Sequence, residues 1–308
     1  MAAPASDISA DPPSQPLLGI FWMLVTGACF VAVTALVKVV GSEVPPAQSA
    51  FLRYLLGLVF LIPMLPALSR ARLNGRALRL FGLRGAAHTV AVILWFYAMT
   101  QIPIAEVTAM NYLNPVYVTV LAALFLGDRL AARRIVAIGV ALLGALIILR
   151  PGIREVSPGH LAMLCTAFCF ALSYFFAKIM ADEVSPAVVV GMLSITVTLG
   201  LAPFAWAVWV SVSLEQLAWL FGVAVFATAG HYTMTLAFRA APLSVTQPVT
   251  FVQLVWASAL GFFVFDEGLD GYVILGGVLI IASISFISWR EHVLKRGPAT
   301  PAVAQTKG

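Results

Sequence analysis

Two stretches of otherwise apolar sequence carry polar and aromatic side chains at helical spacing. Asn111, Asn114 and Tyr117 stand at i, i+3 and i+6, and so do Thr250, Gln253 and Trp256. On a helix each set makes one stripe. Laid over one another at an offset of 139 residues, the stripes pair member by member. Asn111 meets Thr250, Asn114 meets Gln253 and Tyr117 meets Trp256, while Tyr112 meets Phe251. Ligand pockets combine apolar walls with a few convergent polar groups, so the two stripes suit a cavity for a planar, amphipathic, hydrogen-bonding small molecule. The same amides also suit hydrogen bonding between membrane helices. Pro115 and Pro248 lie inside these stretches, and a proline in a helix interior kinks or interrupts it.

Titratable groups inside apolar runs are few. His88 and His231 fall about one turn apart in equivalent frames of the offset alignment. Histidine relays protons near neutral pH, and intramembrane histidines also serve as hydrogen-bonded structural groups. Trp95 and Tyr97 lie near His88 and are further lining candidates. Glu106 follows Pro103 at the start of its run, where a helix dipole favours a carboxylate. It is the first carboxylate candidate for proton coupling. Arg53 lies about two turns into its run; it offers an anionic substrate group a partner, or pairs with Glu43 or Glu106.

These residues sit in a chain that is 61% hydrophobic and 10% charged, with a mean hydropathy of +1.00. Soluble domains carry about 25% charged residues, so a membrane is the solvent. Ten apolar runs, at about 17–40, 47–68, 80–100, 104–126, 132–149, 159–181, 187–210, 216–238, 242–264 and 269–289, have about the length that crosses a hydrocarbon core. Each is read as a helix, because lipid cannot satisfy open backbone groups. With both termini placed in the cytoplasm, all but Lys38, Arg53, Arg150 and Arg154 of the 18 Lys and Arg fall inside. The positive-inside rule favours that orientation. The pI of about 9.3 therefore reports membrane orientation and not a nucleic-acid footprint. No P-loop, zinc-ligand spacing or disulfide framework is present, and no cofactor is expected.

The chain also repeats itself. At an offset of 140, residues 19–47 match 159–187 without a gap, through Gly19, Met23, Leu24, Thr26, Cys29, Phe30, Lys38, Glu43, Val44, Pro46 and Ala47. Two homologous five-helix units follow, over 17–149 and 159–289. A tail precedes them (1–16), a linker joins them (150–158) and a cytoplasmic tail follows (290–308). Five is odd, so the second unit enters the membrane from the opposite side. This is the inverted-repeat plan of secondary transporters. Lys38 and Lys178 then end equivalent helices on opposite faces, each able to snorkel to the interface. Ala137, Ala141 and Ala145 form a small-residue stripe that serves packing within the chain or a homodimer contact.

The stretch AFLRYLLG with Arg53, the run from Pro103 through Glu106 and Asn114-Pro115 to Gly127-Asp128-Arg129, the LRPG that ends the first half, and AFRAAPLSVTQPVTFVQLVWA followed by FDE together resemble the drug/metabolite transporter superfamily, EamA type. The resemblance covers about residues 17–290. It implies a ten-helix carrier of the bacterial inner membrane that works by alternating access. Relatives move vitamins such as riboflavin, amino acids, S-adenosylmethionine and other small metabolites, some inward and some outward. Two other functions are open on the residues: a haem-binding redox protein using His88 and His231, and a flippase for lipids or lipid-linked sugars.

Overall fold

A computed structural model describes residues 15–41, 43–126, 132–153, 155–180, 184–241, 243–246 and 248–295. The described residues are helical, joined by short turns. Helix α1 covers Pro16–Val40. The second span is built from α2 (Pro46–Gly57), a 3-10 stretch (Leu58–Met64) and α3 (Leu65–Arg70). Helix α4 covers Gly75–Gln101. The fourth span is α5 (Ile104–Asn111) and α6 (Asn114–Leu126). Then come α7 (Ala132–Leu149), α8 (Pro158–Met180), α9 (Pro186–Ala207) and α10 (Leu214–Ala240). The ninth span is α11 (Leu243–Thr246) and α12 (Thr250–Phe265), and α13 covers Gly271–Lys295. Among the described residues nine spans are long and apolar enough to cross a membrane as they stand, and the tenth is the divided α11–α12. The protein is an all-α, multi-pass membrane protein.

Local chemistry sets the ends. The Asn74 side chain accepts the Ala77 N–H at the start of α4, which draws Arg76 and Arg79 into a helix expected to begin near residue 80. Ser213 and Gln216 form a reciprocal capping box and start α10 at Leu214. Pro63 and Pro66 explain the departure of the second span from α-helix. Proline has no N–H to donate, and the tighter 3-10 turn accommodates the missing bonds over a short stretch. The first helix begins at Pro16 and the last continues to Lys295, so helix replaces the inner ends of both expected tails. Residues 1–14 and 296–308 lie outside the described residues, as do Asp128 and Glu183 and the side chain of Lys178.

Packing follows the repeat. Helix α1 lies against α10 and α4 against α8, and these pairs exchange under the offset that relates the halves; α7 lies against α13. Duplicated glycines mark the exchange. A Cβ on Gly159 would stand 2.7 Å from Gln101 Cβ and 2.8 Å from Ile102 Cγ2, while one on Gly19 would overlap the Ala241 side chain. Ile102 and Ala241 are themselves mates at offset 139. Only glycine lets a helix backbone approach this closely in lipid. The alanine stripe of α7 is used within the chain: Ala137, Ala141 and Ala145 are buried. Beside them Gly144 meets Gly276 of α13 backbone to backbone, with 2.6 Å from a would-be Cβ to the carbonyl oxygen.

Candidate functional site

Both proline-bearing spans are interrupted where the stripes begin. The fourth span breaks at Tyr112–Leu113 and α6 restarts at Asn114, which leaves Pro115 in the first turn, where it costs no hydrogen bond. In the ninth span Pro248 lies between α11 and α12, and α12 restarts at Thr250. The two breaks touch: the buried Tyr112 hydroxyl donates to the Thr250 carbonyl at 2.7 Å. Broken helices at the interface of inverted repeats are where such carriers bind substrate.

The stripes converge at this crossing and diverge from it. Asn111 and Tyr112 lie at the Thr250 side. Tyr117 packs with Leu121, Ala171 and Phe175 and stands edge-on to Phe168 of α8. Trp256 packs with Val31, Ile104 and Ala257 beside α1, and Gln253 lies over Gly27. The two spans run antiparallel, so equal steps along each lead to opposite ends of the bundle. The Tyr112 and Thr250 ends of the two spans thus lie at the crossing, with one aromatic group toward each end. Two side-chain atoms sealed from solvent, Asn111 Oδ1 at the break and Trp95 Nε1 on α4, have no hydrogen-bond partner among the described residues. Buried polar groups are nearly always bonded, so this is hydrogen-bonding capacity that the protein leaves unused. Trp95 stands edge-on to Phe96 and Phe170, and Tyr97 is half-buried against the same core.

The charged groups are placed differently from expectation. Glu106 is buried and meets His160 of α8, with 2.5 Å from Oε2 to Nε2. His160 Nδ1 accepts the Ser157 backbone N–H at 3.1 Å, which leaves the Nε2 proton to point at Glu106. Arg53 therefore takes neither of its two expected carboxylates, since Glu43 accepts from Gln216 at 3.0 Å. Lys38 does not simply snorkel. It pairs with Glu267 Oε1 at the end of α12, and Glu267 Oε2 accepts the Ile104 N–H at 2.9 Å. One carboxylate thus ties α1, α5 and α12 together. Arg150, in the left-handed conformation after α7, pairs with Asp270 ahead of α13 and lies over the Tyr272 ring. A cavity of about 20 Å³ lies between Glu106, Ser258 and Glu267, room for about one water. A larger apolar groove of about 690 Å³ lies between α3 and α9, away from the stripes.

His160 was missed in the sequence. It lies in the first turn of α8 and has no counterpart in the other half, because its mate at offset 140 is Ile20. His88 and His231 do come into one region, where each interacts electrostatically with Arg53 and Arg84. Their roles differ. His88 is buried, with Nε2 2.9 Å from the Tyr54 hydroxyl and Nδ1 3.1 Å from Ser173 Oγ. Both ring nitrogens are engaged, so His88 does not fit as an axial ligand to haem iron. His231 is exposed and stands edge-on to Phe30.

Comparison with known proteins agrees with this geometry. The model of the EamA-like transporter family matches the chain twice, at residues 17–150 and 157–289. The chain belongs to the EamA-like transporter family. Among its relatives are the S-adenosylmethionine uptake transporter of Rickettsia prowazekii (strain Madrid E), 24% identical over 89% of this chain and 94% of the relative, and the riboflavin transporter of Rhizobium johnstonii, 26% identical over 93% and 96%. The pseudopaline exporter CntI of Pseudomonas aeruginosa (strain UCBPP-PA14) is 24% identical over 88% and 95%. A solved crystal structure superposes with a TM-score of 0.60 at 18% identity, over 91% of this chain and 98% of its own, which shows the same fold. The EamA-like chain is accordingly a membrane transporter.

Proposed function

We propose that this transporter is a secondary carrier that moves a small amphipathic metabolite across the inner membrane by alternating access. The candidate substrates are a vitamin of the riboflavin kind, an amino acid or an S-adenosylmethionine-like compound. The observation that carries the reading is the meeting of the two broken spans at Tyr112 and Thr250, with unused hydrogen-bonding atoms on Asn111 and Trp95. Asn111, Asn114, Tyr112 and Thr250 form the central wall, and Tyr117, Gln253, Trp256, Trp95 and Tyr97 complete it. The two repeats, 17–149 and 159–289, are the rocking units. Both termini are cytoplasmic.

Lys38, Ile104 and Glu267 close the outer end in one conformer. Glu106 with His160 is the proton-coupling pair, reached through the small cavity beside Glu267. Uptake and efflux of a panel of flavins, amino acids and nucleoside-like compounds by proteoliposomes under an imposed pH gradient tests the reading. Wild-type protein that moves none of them would overturn it. The flippase alternative draws support from the lateral groove between α3 and α9, and a lipid-scrambling assay separates it.

A further inference from the structure

Every carboxylate in the described spans stands at a span end, and Glu106, the most deeply buried of them, is taken by His160. The region of His88 and His231 holds two arginines. Arg84 gives one N–H to the Val189 carbonyl at 2.9 Å, and its Nε is sealed without a partner. A carbonyl bond does not neutralise the charge. Arg53 is only 9% exposed, yet among the described residues it has no hydrogen bond and no ion pair. Its neighbour is the Tyr54 ring, whose centroid lies 4.0 Å from the guanidinium carbon. Leaving a buried charge without a counter-charge costs several kcal/mol, and intramembrane charges mark substrate pathways.

The surroundings have the form of a binding site. Tyr54 is fixed beneath Arg53 by His88, and His88 by Ser173. Opposite stands His231, which interacts electrostatically with Arg53. Helix α10 exposes one mixed side in mid-span. Phe221, Val225 and Tyr232 lie on the same side as Thr228, His231 and Thr235, and the polar three run along one edge of that side. The Thr228 and Thr235 hydroxyls donate to their own helix at 2.8 Å and 2.9 Å, and each oxygen keeps acceptor capacity.

We propose that Arg53, with the Thr228–His231–Thr235 face of α10, binds the carboxylate of an organic-acid substrate. The inference rests on the carrier reading and names the substrate class. A single accessible guanidinium matches one negative charge, and its planar fork suits a carboxylate bidentately. A phosphate dianion would ask for a second free cation, and Arg84 is turned to the Val189 carbonyl. The substrate is thus amphipathic in a defined sense: its apolar or aromatic body lies toward Trp95 and Phe170, and its acid end lies on Arg53.

The test is thermal stabilisation of the purified full-length protein in detergent by matched pairs. Indole-3-acetate is compared with indole-3-acetamide, benzoate with benzamide, and phenyl phosphate completes the panel. The acids should raise the melting temperature and the amides should not. Arg53→Gln should weaken acid binding by about 10- to 100-fold, the effect of a lost charged hydrogen bond. Arg53→Lys should keep part of it. The unliganded melting temperature of each variant reports folding, and His231→Asn, which leaves the guanidinium in place, is the second variant and should also weaken acid binding. Amides that stabilise as well as acids, acids that still stabilise Arg53→Gln, a stronger effect of phenyl phosphate, or no stabilisation by any acid would each overturn the proposal. Proteoliposomes that transport the neutral amides would leave the carrier reading standing while the acid site falls. Proteoliposomes that move neither member of any pair would count against the carrier itself.

Discussion

Replacing Glu267 with glutamine should loosen the Lys38 end of the protein. Glu267 pairs with Lys38 and accepts the Ile104 N–H. The glutamine amide keeps an acceptor for Ile104, so the main loss is the ion pair. The Lys38 and Glu267 side chains are 24% and 11% exposed. The pair is thus neither a surface pair, worth about 0–1 kcal/mol, nor a fully buried one, whose breaking costs about 3–5 kcal/mol. An intermediate value of about 2 kcal/mol is appropriate. If the pair forms only in the conformer with this end shut, that energy enters the open–shut equilibrium and shifts it about 30-fold. Ser258, buried beside Glu106 and Glu267, is the reporter. With Cys29, Cys165 and Cys169 replaced, Ser258→Cys is labelled with a membrane-impermeant maleimide in right-side-out and inside-out vesicles. Glu267→Gln should raise the labelling rate by about 30-fold from the Lys38 side only. Lys38→Gln should do the same, and the double variant should add little, because the two changes break one interaction. An unchanged labelling rate together with a lowered melting temperature would refute the reasoning. The pair would then be a static brace, present in both conformers.

Other predictions address the crossing, the coupling pair and the packing. Asn114→Ala and Gln253→Ala should each abolish most transport in proteoliposomes while leaving the melting temperature near wild type; normal transport by both would remove the proposed site. Glu106→Gln should lose uptake driven by a pH gradient but retain exchange of substrate across the membrane, and gradient-driven uptake at the wild-type rate would exclude Glu106 from coupling. Tyr112→Phe deletes the bond between the two breaks and should cost about 1–2 kcal/mol of stability, read as a lower melting temperature. Gly276→Ala would drive a methyl group into the Gly144 backbone. It should lower the melting temperature markedly, whereas Gly82→Ala, which meets nothing, should not.

The breaks at Tyr112 and Pro248 were legible in the sequence because proline's missing N–H and fixed φ act locally. Helical spacing holds for Thr250, Gln253 and Trp256, which lie within α12, but the break divides Asn111, at the end of α5, from Asn114 and Tyr117 in α6. The partners of the charges were not. Glu106 meets His160 across 54 residues and Lys38 meets Glu267 across 229, and no local spacing encodes either contact. Nor could the sequence tell that Tyr117 and Trp256 point to opposite ends of the bundle, since that depends on where two antiparallel spans cross.

By itself the sequence determined the membrane as solvent, the ten spans and the two inverted halves. Hydropathy and self-similarity are properties of the chain read along its length, and lipid permits little besides helix once the apolar runs are long enough. The tertiary structure decided which buried charges are satisfied and which are not. It gave Glu106 to His160 and Glu267 to Lys38, and left Arg53 over Tyr54 with no ion pair among the described residues. A charge is neutralised by what stands near it in space, and only the packed helices fix that.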